Sequence, residues 1–316
     1  MSVRRLALAF AASTAMMMAS NASAAPDQAA MQMLPGDTSM VISFDLARIR
    51  KAPLYKTMME MVKKQPDGQK ALAEIKAKSG VDLEKDIDRI VVALPANVEK
   101  SESFVLMVKG RLDQGKLTSA AMSDKNAGGK EGSHNGVKTV SVDNGQGSFA
   151  FLNGYMLAGS TSGVHKAIDA SKGKGALKGG KVSAAIAKVD TGKDMWMVID
   201  INDTMRKNMP SDPMAKSVTG MQASLDLASG LGLKMALSTK DAASAKQIAD
   251  TLSAQLNAQN KGAPPMFANM MKKITAKAAG SDVNIEVALS QQDVDMLKGL
   301  LMMGMAAGGN TGAPQK

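Results

Sequence analysis

The chain has 316 residues, a formal charge of +10, no cysteine, 27 methionines and only 3% aromatic residues. The missing cysteine excludes disulfides, thiolate metal sites and cysteine nucleophiles. A 45% hydrophobic content over this length suffices for two ordinary cores, and methionine, a gap-filler that fixes shape weakly, has to supply much of them.

The first residues set Arg4 and Arg5 before an uncharged apolar run from Leu6 to Ala19 and the small-residue step Ala22-Ser23-Ala24. This is the pattern of a cleaved secretory signal over 1–24, with the cut after Ala24. The run is too short to span a bilayer, and no later segment is apolar enough to do so. The expected mature chain is exported, to the periplasm or the extracellular space, and carries about +8 without the two arginines. Its cations are scattered lysines, not an arginine stripe with interleaved aromatics, so nucleic acid is not an expected partner and weak peripheral contact with a membrane surface is.

After a segment at 25–38, Ser39 to Phe44 reads as an apolar strand, and Asp45 as the cap of a turn or short helix. Pro53 opens a helix to Lys64, with Leu54, Met58, Met61 and Val62 at helical spacing. Gln69 to Lys78 is another helix, Arg89 to Leu94 a strand, Ser103 to Lys109 its hairpin partner, and Asp113 to Met122 a helix. Asn126 to His134 reads as a polar, glycine-rich loop. Asn-Gly pairs then stand at 135, 144 and 153 with β-prone segments between them. Asn-Gly supplies the two positive-φ residues of a type I′ turn, so the run predicts a meander and not a phosphate cradle, which needs a strand-to-helix loop. Thr161 is expected to cap a helix to Ala170, and 172–192 reads as a Gly/Lys linker region. Beyond it come strands at 194–201, 221–228 and 231–239, helices at 242–259 and 264–278, a strand at 282–289, and a last helix capped by Ser290 to about Met305. Residues 306–316 read as a disordered tail.

The halves repeat. TSMVISFDLARIRK parallels DMWMVIDINDTMRK, and YMLAGSTSGVHKAIDA parallels VNIEVALSQQDVDMLKGL. The expected fold class is α+β: two tandem ferredoxin-like (βαββαβ) units, at 39–171 and 193–305, with antiparallel sheets and helices on one face.

LPGDTSMVISFD (34–45), GVDLEKDIDRIVVAL (80–94), FVLMVKG (104–110) and GYMLAGSTSGVHKAID (154–169) together resemble a class of uncharacterised exported bacterial proteins. The resemblance covers roughly 34–200. It implies the fold and export, and no activity.

Candidate chemistry is sparse. GALKGGKV (175–182) nearly fits a phosphate-binding loop, but Val182 stands where Ser or Thr must hold magnesium. Asp82, Glu84, Asp86 and Asp88 crowd one turn without the glycine and closing Glu of a calcium loop. His134 adjoins Asn135, and His165 precedes Asp169 by one helical turn, a surface pair. Ser171 and Lys174 have an acyl-transfer spacing but lie in the glycine-rich run, so a hydrolase would need an unrecognised site. Methionine is the excess: Met31/Met33, Met58/Met59/Met61, Met195/Met197 and Met302/Met303/Met305 cluster. Thioethers suit copper(I), and Met195 and Met197 share a strand face with Trp196 on the other; core packing is the alternative use. The leading expectation is a non-enzymatic envelope binding or scaffold protein without cofactor, engaging an envelope protein, peptide or lipid through a sheet face or a methionine-lined groove. The alternatives are a copper(I)-thioether carrier and a hydrolase.

Overall fold

The computed structural model describes residues 27–64, 66–96, 103–124, 127–207, 212–261 and 264–308. The expected signal and its cleavage site after Ala24 lie outside them. The fold is α+β, built on one twelve-stranded sheet. A short helix α1 (Gln28–Gln32) precedes β1 (Thr38–Asp45). Then come α2 (Leu46–Ile49), α3 (Pro53–Lys64), α4 (Pro66–Ser79), the hairpin β2 (Ile87–Pro95) and β3 (Val105–Gly110), and α5 (Gln114–Ser123). The meander β4 (Lys130–His134), β5 (Val137–Val142), β6 (Gly147–Leu152), β7 (Tyr155–Ser160) leads into α6 (Thr161–Ser171) and α7 (Gly180–Ile186). The second half holds β8 (Met195–Asp200), α8 (Asp203–Lys207), α9 (Pro213–Ser217), the hairpin β9 (Val218–Asp226) and β10 (Gly230–Thr239), α10 (Ala242–Lys261), α11 (Pro265–Met271), the hairpin β11 (Ile274–Ala279) and β12 (Asp282–Ser290), and α12 (Gln291–Gly308).

The strand order is β11-β12-β10-β9-β8-β1-β2-β3-β7-β6-β5-β4. It reads the same way outward from the central β1–β8 pair: first strand, hairpin, then the last hairpin reversed. The duplication is therefore visible in the pairing, with β4 and β5 as extra strands of the first half. The order within a unit is not the ferredoxin-like one. That plan joins its first and second strands by a helix so that they run parallel and inserts the third strand between them, so its first strand never pairs with its second. Here β1 pairs antiparallel with β2 and β8, and the described ladders on both sides are antiparallel. The element that shifts the order is the paired last hairpin, whose first strand in the second half, β11, occupies part of the expected 264–278 helix.

Alternation explains the two faces. In the second half, register places Met195, Leu225, Leu233, Val287 and Ile274 in one cross-strand row, and Met197, Ala223, Met235, Ile285 and Ala276 in the next. This apolar back face is covered by α10 through Ala245, Ile248 and Ala249 and by α12 through Val294, while Leu54 of α3 joins the same cluster. In the first half the back face is continued by Ile42, Phe44, Ile90 and Val108. The front face of the first half is also apolar. Val41, Val91, Ala93, Val105, Met107 and Leu157 pack against Ala30, Met33 and Leu34 of and beside α1, Val164, Ala167 and Ile168 of α6, and Val182 of α7. A sheet covered on both faces reads as near-continuous apolar strands, and a half-covered one as strict alternation; β1 and β9–β12 differ in just this way.

Local expectations met the backbone closely at the turns. Asn135, Asn144 and Asn153 and their glycines all have positive φ. Ser160, not Thr161, caps α6, accepting the Gly163 N–H at 3.1 Å, because the Thr161 hydroxyl is turned to the Gly145 carbonyl. The expected loop before Asn135 contains the edge strand β4, whose exposed, charged residues hide the strand from any apolar pattern. The expected linker region holds α7 and docks on the N-terminal segment through Gly36 N–H to Gly175 O, 2.7 Å, and Leu177 N–H to Leu34 O, 2.9 Å. Helix α12 runs to Gly308, into the expected tail; 309–316 lie outside the described residues.

Candidate functional site

Where the halves meet, charges are buried as partners. Arg48 donates to Asp194 Oδ1 at 2.9 Å and to the Gly192 carbonyl at 2.7 Å, and Asp194 also takes the Leu227 N–H. Lys193, 6% exposed, reaches Asp226 at 3.2 Å and Asp190 at 3.6 Å. Arg89 bridges Asp45 at 2.5 Å and Asp27 at 3.6 Å. Burial pushes the Asp194 carboxyl up, against the Leu227 N–H and Arg48. Burial and the Asp27 carboxylate together push the Tyr155 phenol well up. Each carboxylate named in this cluster faces a cation, the pattern of a structural seam.

The front face of the second half is different. Register aligns Trp196, Ser224, Lys234, Glu286 and Thr275 in one row and Val198, Gln222, Ala236, Asn284 and Lys277 in the next. Beyond the buried Trp196 and Val198 these rows are mostly polar, and Lys234, Glu286, Thr275 and Lys277 are exposed. Helix α7 ends the covering. Between it and the bare strands lies a cleft of about 190 Å³ whose walls include Lys181 and Lys188 from α7 and its C-terminal side, and Asp200, Thr219, Gln222 and Ser238 from the sheet. Asp200 Oδ1 and Gln222 Oε1 are buried there without a hydrogen-bond donor among the described residues; Lys181 Nζ stands 3.4 Å from Asp200 as an ion pair. Because that ammonium faces Oδ1 itself, Gln222 Oε1 is the acceptor left unmade, at a cost of about 1–3 kcal/mol. A second hollow, about 250 Å³, opens on the back face between Leu117 and Ala121 of α5 and Phe149 and Met156; its walls are mostly apolar, with Ser79 and Asp124 among them.

The residues singled out in the sequence scatter. Met195 and Met197 do share the back face and are half-buried, packed with Ile42, Phe44, Ala223 and Leu225, while Trp196 is buried on the front. Met33 is buried under the sheet and Met31 packs beside it. The side chains of Met58, Met61, Met302, Met303 and Met305 lie outside the described residues. The acidic turn is divided among cations: Lys76 holds Asp82 at 2.9 Å, Arg111 holds Asp86 at 3.2 Å and Arg50 holds Asp88 at 3.0 Å. Ser171 donates to the Ile168 carbonyl at the end of α6. His134 and His165, which the sequence treats separately, are brought together with Asp169. The cleft itself was missed: Asp200 and Gln222 lie on different strands, and only the polar half of the alternation in 218–239 hinted at a bare face.

No family model matches the chain, and no curated protein matches it. Among solved structures, the one described as "Structure of crystal form III of TP0453" has a TM-score of 0.47 and 10% identity, covering 87% of this chain and 97% of that one. "Structure of crystal form I of TP0453" gives 0.47 and 12%, covering 86% and 96%. No helix among the described residues is long and apolar enough to cross a membrane.

Proposed function

We propose that the chain is an exported, non-catalytic binding protein of the cell envelope, built from two copies of one strand-and-helix unit, with the bare front face and its cleft as the ligand surface. The observation that carries this reading is Gln222 Oε1, buried without a donor among the described residues beside the Lys181–Asp200 ion pair, at the border of a largely polar sheet face. The occupant that fits is an extended, acidic polypeptide segment. A backbone N–H group of it would satisfy Gln222 Oε1, and its carboxylates would meet Lys188 at the rim and Lys277 on the face, with Lys181 shared between them and Asp200. The resemblance to exported bacterial proteins and the signal pattern support the location.

Titration of the isotope-labelled mature protein with a short Glu/Ser peptide tests this. Amide shifts confined to 181–188, 219–224 and 234–238, lost in Lys181→Glu/Lys188→Glu, are expected. Shifts around the apolar hollow, binding of anionic vesicles in place of the peptide, or self-association through the same face would each overturn the acidic-peptide reading. Turnover of ester, peptide or phosphate reporters would overturn the non-catalytic one.

A second reading rests on Met195 and Met197, adjacent on one face: a copper(I)-thioether site. Met197→Leu conserves the packing and removes one sulfur, so copper(I) affinity should fall; affinity that survives it places the site elsewhere.

A further inference from the structure

The chain's two histidines stack face to face. Their ring centroids are 4.0 Å apart and their planes 5° from parallel. His134 ends β4, at the tip of the β4–β5 hairpin; His165 lies in α6. His134 Nε2 stands 2.8 Å from Asp169 Oδ1, so it carries the proton and donates it to the carboxylate. The Asn135 side-chain amide donates to the same oxygen, and Lys172 donates to the Asn135 carbonyl. The hairpin tip is thus fastened to the last turn of α6 by a small polar cluster at one end of the sheet. Parallel rings aim their nitrogen lone pairs side by side and not at a common point, and no group of three His, Asp or Glu arranged to hold a metal occurs among the described residues. A metal centre is therefore not the use of this pair.

We propose that the stack is an acid-operated clasp, in which a second positive charge on the ring pair drives the β4–β5 hairpin away from α6. One carboxylate serves two rings. Asp169 can balance a single imidazolium, but two cations 4.0 Å apart in a half-buried site repel strongly. The other charges around the pair add to the repulsion: Lys172 and Lys174 on the α6 side, and Lys130 on the same face of β4. Across from His134, β5 presents the apolar Val137, and the neighbouring Lys138 points to the opposite face by alternation. Burial, then the neighbouring His134, hold His165 below the ordinary histidine value of 6.5, with Asp169 opposing. The unfolded or unclasped segment therefore takes up the proton first. The clasp is complete above pH 6.5 and is lost as pH falls through the lower value in the folded state. Burial raises Asp169, but its bonds from His134 and Asn135 outweigh this and hold it below 3.8, so Asp169 stays charged across the range in which His165 takes up its proton. Opening frees Val137, which packs on the front core beside Leu152.

Amide hydrogen exchange of the mature protein at pH 7.5 and 5.5, corrected for intrinsic rates, is the test. Protection over 130–142 should fall by up to about tenfold at the lower pH, the limit for one histidine that takes up its proton only when unclasped, while β8 and β9 keep theirs and report an intact fold. His165→Phe keeps the stack with one chargeable ring, and His134→Gln keeps a donor to Asp169; both should abolish the pH response. Equal protection at the two pH values, or a full response in His165→Phe, would overturn the clasp.

Discussion

The two halves of the sheet share one strand plan and use it differently. In the first half, α1, α6 and α7 close the front face over an apolar core, and the back face is apolar as well. In the second half only the back is closed, and the front is left polar. The difference teaches that a duplicated unit keeps its fold through one covered face alone, which leaves the other face free to be polar. Position by position, Leu157 in the first half and Asn284 in the second each stand on the front face, yet one is fully buried and the other partly exposed.

Substitutions sharpen this contrast in order of size. Leu157→Ala should cost about 3–5 kcal/mol in urea unfolding, because the side chain is wholly buried in the doubly covered half and leaves a cavity. Asp226→Asn should cost about 3 kcal/mol, since it strands the buried Lys193 with only the longer contact to Asp190; an unchanged midpoint would show that this buried pair adds nothing net. Leu225→Ala, on the back face of the second half, should cost about 2–4 kcal/mol. Asn284→Ala should stay within about 0.5 kcal/mol; a large loss there would mean the front face is covered after all. The acid limb offers a finer probe. The Lys273 ammonium and the Ser290 hydroxyl hold Asp293 below 3.8, so its contribution is present above that value and lost as pH falls through the lower folded one. Asp293→Asn should flatten the stability profile below pH 4, read by thermal melts across pH.

The sequence carried what is local. Asn-Gly steps announced their turns, Asp45 and Asp113 their helix caps with N–H contacts at 3.0 and 2.9 Å, and the alternation of β9, β10 and β12 its strands. It did not carry what depends on distant partners. Lys130–His134 has no apolar pattern and is a strand only because β5 lends it a ladder. Gly180–Ile186 is too short and glycine-flanked to read as a helix, and folds by docking Val182 into the front core. The stacking of His134 on His165 follows from where the meander returns over α6, and no residue spacing encodes it. Asp200 and Gln222 needed the strand register before they could be seen as neighbours.

The central β1–β8 ladder, Ile42 facing Met197, also has a meaning in time. One of the first strands to be made waits for a partner from the far half of the chain, with its hydrogen-bonding edge open in the interval. Such long-range closure is slow, and an open edge beside Val41 and Phe44 is a template for strands of other molecules. A fragment ending before β8 should therefore self-associate more than the whole chain does, in which β8 covers that edge.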